Sequence, residues 1–226
     1  MLIGVAGMVG TGKTTLSRAL ASRFGLQLAL ESVDTDNPWL ESFYGGPNEM
    51  RQYALPLQLH FLATRFANLR RMSGLGGSWI LDRTWYEDAA IFARGLFEQG
   101  LMTSAEWTLY GRLYSELLHS PAARPPRLLI YLRGPLNVIL ERIATRGRAT
   151  ENDVPVDYWT SLHARYERWI AEFRHCPVLA LDVREYDVVT DPNTVEEIAA
   201  RLRTELDGEL PQTDLWPPVS RKRVFA

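Results

Sequence analysis

The chain has 226 residues, 46 % hydrophobic and 23 % charged, with a formal net charge of −2. That length suits one α/β domain or two small ones and buries roughly 70 % of the unfolded surface, and the composition excludes a chain disordered throughout. The near-neutral balance excludes bulk nucleic-acid binding and polybasic membrane binding, so any affinity for phosphate must come from a local site.

Strand and helix patterns alternate along the whole chain. Leu2-Ile3-Gly4-Val5-Ala6 reads as a buried first strand, followed by a glycine loop and a helix over 13–24. Residues 26–30 form a second strand ending at Glu31, and 34–46 a loop with a short helical piece. A long helix is expected over 49–72, because Leu55, Leu59, Leu62, Phe66 and Leu69 recur at spacings of three or four. Ser78-Trp79-Ile80-Leu81 is a short strand ending at Asp82, and helices over 85–98 and 103–119 run up to the proline-rich stretch 121–126. A strand at 128–132 precedes a helix opened by Pro135, and 142–153 is a charged connection. A helix over 155–174, a strand at 178–182 and a last helix over 192–206 complete the pattern. Five strands interleaved with helices imply a mainly parallel sheet with helices on both faces. No repeat or internal boundary interrupts it. One domain is expected over 1–206, with an extended tail over 207–226 that carries three prolines and a basic end.

Gly7-Met8-Val9-Gly10-Thr11-Gly12-Lys13-Thr14 matches the G-x-x-x-x-G-K-[ST] phosphate loop, with a strand before it and a helix after it. The glycines let backbone N–H groups face phosphate oxygens, and the helix that follows adds its positive end. Lys13 would reach the β- and γ-phosphates of ATP, and the Thr14 hydroxyl could ligate Mg²⁺. Of 25 basic residues only two are lysine, Lys13 and Lys222, so a lysine kept inside this loop is informative. The expected fold is therefore the three-layer P-loop type, in which ligands sit at the carboxyl ends of the strands.

Other candidates follow from position. Asp82 could hold Mg²⁺ and Arg83 could neutralise charge on a transferring phosphoryl group, although a strand-end Asp also caps helices. Glu31 could accept a hydroxyl proton, or be a solvated loop acid. Gln58 and Arg65 lie seven residues apart on one helix face, which surface polarity alone would also explain. Arg142, Arg146 and Arg148 form a third phosphate element, a lid that closes over ATP and excludes water; a solvated helix end is the plainer explanation. One cysteine, Cys176, excludes an internal disulfide, and His60, His119, His163 and His175 have no metal-ligand spacing. No apolar run approaches the roughly 18 residues of a membrane helix, and a cytoplasmic location is expected.

Together these elements resemble the deoxyribonucleoside kinase family, in its bacterial deoxyadenosine/deoxyguanosine branch. The resemblance runs to about Arg203. It rests on Gly7–Thr14, Leu30-Glu31-Ser32-Val33 with Asn37-Pro38, Phe43-Tyr44, and Gln58 with Phe61-Leu62 and Arg65. It continues through Asp82-Arg83-Thr84-Trp85-Tyr86-Glu87-Asp88, Arg146-Gly147-Arg148 with Glu151, and Leu181-Asp182-Val183-Arg184-Glu185-Tyr186-Asp187. The resemblance implies transfer of the γ-phosphate of ATP to the 5′-hydroxyl of deoxyadenosine, deoxyguanosine or deoxycytidine, with Mg²⁺. It implies that Gln58 bonds the base edge, that Arg65 and Asp88 close the far end of the pocket, that Glu31 meets the 5′-hydroxyl, and that Arg83 also belongs to the substrate site. Tyr44, with Tyr53 as alternative, and Glu151 would hold the sugar, while Thr15, Arg184, Glu185 and Tyr186 would accompany ATP. Glu31 and Asp82 both remain candidates for the proton acceptor, and family members commonly form homodimers. The nearest rival is a nucleoside monophosphate kinase, disfavoured because Glu31 and Glu151 would repel an incoming phosphate. A nucleotide switch is disfavoured further by the lack of an Asp-x-x-Gly segment after the third strand.

Overall fold

The computed structural model describes residues 1–30, 37–148, 151, 154–191 and 193–206. Five strands, β1 (Leu2–Gly7), β2 (Gln27–Ala29), β3 (Trp79–Asp82), β4 (Leu128–Arg133) and β5 (Val178–Asp182), form one sheet in the order β2-β3-β1-β4-β5. Every pairing is parallel, so the carboxyl ends gather at one edge: Val5 pairs with Asp82, Gly7 with Leu132, and Arg133 with Asp182.

Alternation along the strands divides the core in two. Ile3, Val5, Ile130, Leu132, Leu179 and Leu181 face one side. There they meet Leu16, Leu20 and Phe24 of α1 (Lys13–Phe24) and Ile198 and Leu202 of the last helix, α9 (Asn193–Glu205). Ala6, Leu81, Leu129 and Tyr131 face the other side. They are covered by α3 (Pro47–Leu75) and by α8 (Val156–Glu172), through Leu62, Phe66, Leu162, Tyr166 and Trp169. Each such fully buried side chain contributes about 1.5–3 kcal/mol. Helices on both faces of a parallel sheet are the three-layer arrangement expected from the alternating pattern.

The element boundaries agree within a few residues, and three differences have physical causes. The long helix starts at Pro47, in the first turn where a missing N–H costs nothing, and runs through Pro56 because its buried stripe continues on both sides of the ring. The helix expected over 85–98 is interrupted: α4 (Trp85–Glu87) and α5 (Arg94–Glu98) flank a π-turn over Asp88–Ala93. A wider turn accommodates one more residue than an α-turn, and periodicity over so short a stretch cannot register it. The second strand is shorter than expected, and Glu31, like the tail over 207–226, lies outside the described residues.

The remaining helices are α2 (Leu40–Phe43), α6 (Ser104–Leu118) and α7 (Leu136–Arg146). Thr103 and Glu106 cap the start of α6 reciprocally, with Glu106 accepting from the Thr103 amide at 2.7 Å. Pro135 immediately precedes α7, and Gly147 ends it in the left-handed conformation at φ 63°, with its N–H on the Ile143 carbonyl.

Candidate active site

The phosphate loop bridges β1 and α1. Gly12 sits at the helix N-cap with φ 92°, and no side chain caps the first turn, so its amides point into the loop. Gly7 admits no side chain, since a Cβ there would lie 2.5 Å from the Leu132 carbonyl. The Thr11 hydroxyl donates to the Met8 carbonyl at 2.8 Å, and Lys13 Nζ donates to the same oxygen at 3.1 Å. Lys13 is 8 % exposed, so its charge is held inside the loop rather than in bulk water. Thr14 and Thr15 are exposed in the first turn of α1.

The Thr14 hydroxyl donates to Asp82 Oδ2 at 2.5 Å, joining the loop to the end of β3. Asp82 Oδ1 is buried and has no hydrogen-bond partner among the described residues. Two hard oxygen donors, one of them orphaned, fit a Mg²⁺ that keeps several waters and binds through one carboxylate. Among the described residues no cluster of three or more His, Cys, Asp or Glu could hold a metal without such help. Arg83 follows at φ 74°, an unusual conformation for a residue with a side chain, costing on the order of 1–3 kcal/mol. Its amide still bonds the Val5 carbonyl at 2.9 Å, and its guanidinium lies 4.4 Å from the centre of the Phe92 ring.

A second group lies on the α3 side. Arg65 and Asp88 form a two-pronged pair at 2.8 and 3.1 Å, with side chains only 14 % and 7 % exposed. The π-turn presents Asp88 to α3. Gln58, two turns before Arg65 on the same helix, is 5 % exposed. Burial raises the pKa of the nearby Tyr110 phenol, with Asp88 adding to the rise and Arg65 opposing it.

Tyr44 is 70 % exposed at the end of α2, whereas Tyr53 packs against Trp39 with ring centres 5.8 Å apart. Burial raises the Tyr158 phenol, Tyr44 raises it further, and Arg83 and Arg165 oppose the shift. Tyr44 and Arg83 thus both come within electrostatic range of Tyr158. On the lid side, Arg146 Nη2 donates to both oxygens of Glu151, at 2.6 and 2.7 Å, and Arg148 lies 4.0 Å from the same carboxylate. Arg142 points elsewhere: Nη2 donates to the Val183 carbonyl at 2.7 Å and lies 3.0 Å from Asp187.

Residues 3–207 match the deoxynucleoside kinase family. The chain belongs to that family. It is 40 % identical to the deoxyadenosine/deoxycytidine kinase of Bacillus subtilis (strain 168) over 201 residues, 89 % of this chain and 91 % of that protein. It is 32 % identical to the deoxyadenosine kinase of Dictyostelium discoideum over 217 residues, 96 % and 83 % of the two chains. The solved structure of deoxyadenosine kinase from M. mycoides, with dCMP and a flexible dCDP bound, superimposes with a TM-score of 0.74 at 26 % identity. That match covers 90 % of this chain and 100 % of the other.

In this kinase, then, Gly7–Thr14, Asp82 and Arg83 meet at the carboxyl edge, and Gln58, Arg65 and Asp88 line α3 and the π-turn. Arg146 and Arg148 meet Glu151 after α7, and Arg142 does not join them. Arg184, Glu185 and Tyr186 follow the end of β5. They line a groove of about 570 Å³ with Arg133, His163 and Arg201, and Arg184 is forked onto Asp182 at 3.0 and 2.7 Å. Val188 and Val189 approach the phosphate loop, a Cβ on Gly12 falling 2.9 Å from Val188. Sequence reasoning also passed over Glu87, which is fully buried. Burial raises its carboxyl, while Arg83, Lys13 and the Thr84 amide oppose the shift. The spacing Thr84-x-x-Glu87, a capping-box pattern, was the available signal.

Proposed function

We propose that this kinase transfers the γ-phosphate of ATP to the 5′-hydroxyl of a deoxyribonucleoside, with deoxyadenosine and deoxyguanosine preferred and deoxycytidine accepted, within residues 1–206. The observation that carries the acceptor class is the buried Arg65–Asp88 pair, with the buried Gln58 two turns before Arg65 on α3. An amide can present donor or acceptor to a base edge, and the ion pair offers both signs of charge to exocyclic groups. An apolar methyl of thymine gains nothing there.

In this reading the loop amides and Lys13 hold the β- and γ-phosphates. Thr14 and Asp82 hold Mg²⁺, which offsets phosphate charge when bound. Glu31 takes the 5′-hydroxyl proton as the O5′–Pγ bond forms, the bond from Pγ to the bridging oxygen breaks and ADP leaves. Arg83 sits where charge develops on the transferring group. Arg146 and Arg148 exchange Glu151 for phosphate oxygens as the lid closes, which frees Glu151 for the sugar beside Tyr44. Thr15 and the segment from Arg184 through Val189 flank ATP. Leu109 and Leu113, 47 % and 41 % exposed on α6, support a homodimer through that helix. No helix among the described residues is long and apolar enough to cross a membrane, and a cytoplasmic enzyme fits that.

The test is an ATP–Mg²⁺ assay over deoxyadenosine, deoxyguanosine, deoxycytidine, thymidine and the matching monophosphates. Monophosphate formed from the purine nucleosides fastest is expected. Turnover of monophosphates alone, or of nothing, would overturn the proposal.

A further inference from the structure

Glu87 has none of the roles above, yet its carboxylate joins three distant parts of the chain. Oε1 accepts from the Gly7 amide at 3.4 Å and from the Tyr166 hydroxyl at 3.1 Å. Oε2 accepts from the Thr84 amide at 2.8 Å and the Thr84 hydroxyl at 3.2 Å. Gly7 opens the phosphate loop, Thr84 directly follows Asp82 and Arg83, and Tyr166 lies on the helix after the lid.

Capping α4 would need only the two Thr84 bonds. The same motif at Thr103 and Glu106 does that task on the exposed surface of α6, without burying an acid. Burying a carboxylate is costly unless its oxygens are fully engaged. Here Glu87 is 0 % exposed, and its further bonds reach the first glycine of the phosphate loop and Tyr166 of α8. We propose that Glu87 is a positioning residue for phosphoryl transfer, locking the first glycine of the phosphate loop and the Asp82–Arg83 turn to one carboxylate. Tyr166 ties the helix behind the lid to the same oxygen. The spacing between the groups that hold the β- and γ-phosphates and the arginine that meets the transferring group is thereby set before ATP arrives. Displacements of about 1 Å in such an arrangement cost about 100-fold in rate.

Glu87→Gln separates this role from capping, because glutamine also serves at that capping position. Its amide has one acceptor oxygen, so it cannot accept on both the Thr84 side and the Gly7 side. The expected result is a folded enzyme whose kcat falls at least about 10-fold while the nucleoside KM stays within about twofold, since Gln58, Arg65 and Asp88 are untouched. Tyr166→Phe should lower kcat about fivefold, again without moving KM. The double variant should be no slower than Glu87→Gln alone, because both changes act through one carboxylate. A folded Glu87→Gln with wild-type kcat, a loss confined to KM, or multiplying losses in the double variant would overturn the proposal. Should Glu87→Gln fail to fold, Tyr166→Phe decides: wild-type kcat there overturns it. The proposal rests on the kinase reading, and a wild-type enzyme inactive on every nucleoside would overturn both, whereas active wild-type with an unaffected Glu87→Gln overturns this one alone.

Discussion

The donor side and the lid side of the site are held by different kinds of interaction. On the donor side, Lys13, Asp82 and Glu87 are all at most 8 % exposed, and their partners are backbone groups and hydroxyls fixed by the sheet. On the side of Glu151, Arg146 and Arg148 are 33 % and 58 % exposed, and both face that carboxylate. Buried contacts to backbone set a geometry in advance. Exposed arginine–carboxylate pairs contribute only about 0–1 kcal/mol and exchange partners readily, which suits a part that must reorganise when ATP enters. Buried contacts thus hold the phosphate loop, and exchangeable ion pairs hold the Arg146–Glu151 segment.

Four measurements would break or sharpen this contrast. Lys13→Ala should cut kcat by about 10³-fold with little change in melting temperature, and a variant within tenfold of wild type would dissolve the contrast on its donor side. Asp88→Ala leaves the Arg65 guanidinium buried without its carboxylate, so denaturant unfolding should register a loss of about 3–5 kcal/mol. Adding Arg65→Met should recover much of that stability and raise thymidine turnover relative to deoxyadenosine by about 10-fold. An unchanged ratio would move the base pocket elsewhere. On the lid side, Arg146→Ala should weaken ATP use about 10-fold in kcat/KM while unfolding free energy shifts by no more than about 1 kcal/mol. A large stability loss would show that the lid pair is structural after all. The smallest effect concerns Cys176, whose thiol burial pushes up to about 11. Its thiolate is scarce near neutrality, so alkylation at about pH 8 should be slower than for a free thiol and should accelerate as pH rises toward that value.

What the chain reveals without its structure follows from how local each interaction is. Gly7–Thr14 was legible because phosphate is bound by consecutive backbone amides, and those need glycine at fixed places. Asp82–Arg83 was legible from its position at a strand end, and Arg65 with Asp88 through the family resemblance. Glu87 was not, since its partners Gly7 and Tyr166 lie 80 and 79 residues away. The conformation of Arg83 and the separation of Arg142 from the other lid arginines depend on long-range contacts to Val5, Val183 and Asp187. No periodicity encodes these.

The π-turn over Asp88–Ala93 has one more consequence. Each residue of a helix carries about 100° of rotation, so one residue more or fewer turns everything downstream by that angle. Shortening this turn by a single residue would swing α5 around its axis and pull Asp88 out of step with Phe92, the ring beneath Arg83. The Asp88 carboxylate on Arg65 and the Phe92 ring beneath Arg83 are thus phased by the length of one turn, and insertions or deletions there would shift both at once where a point substitution would alter only one.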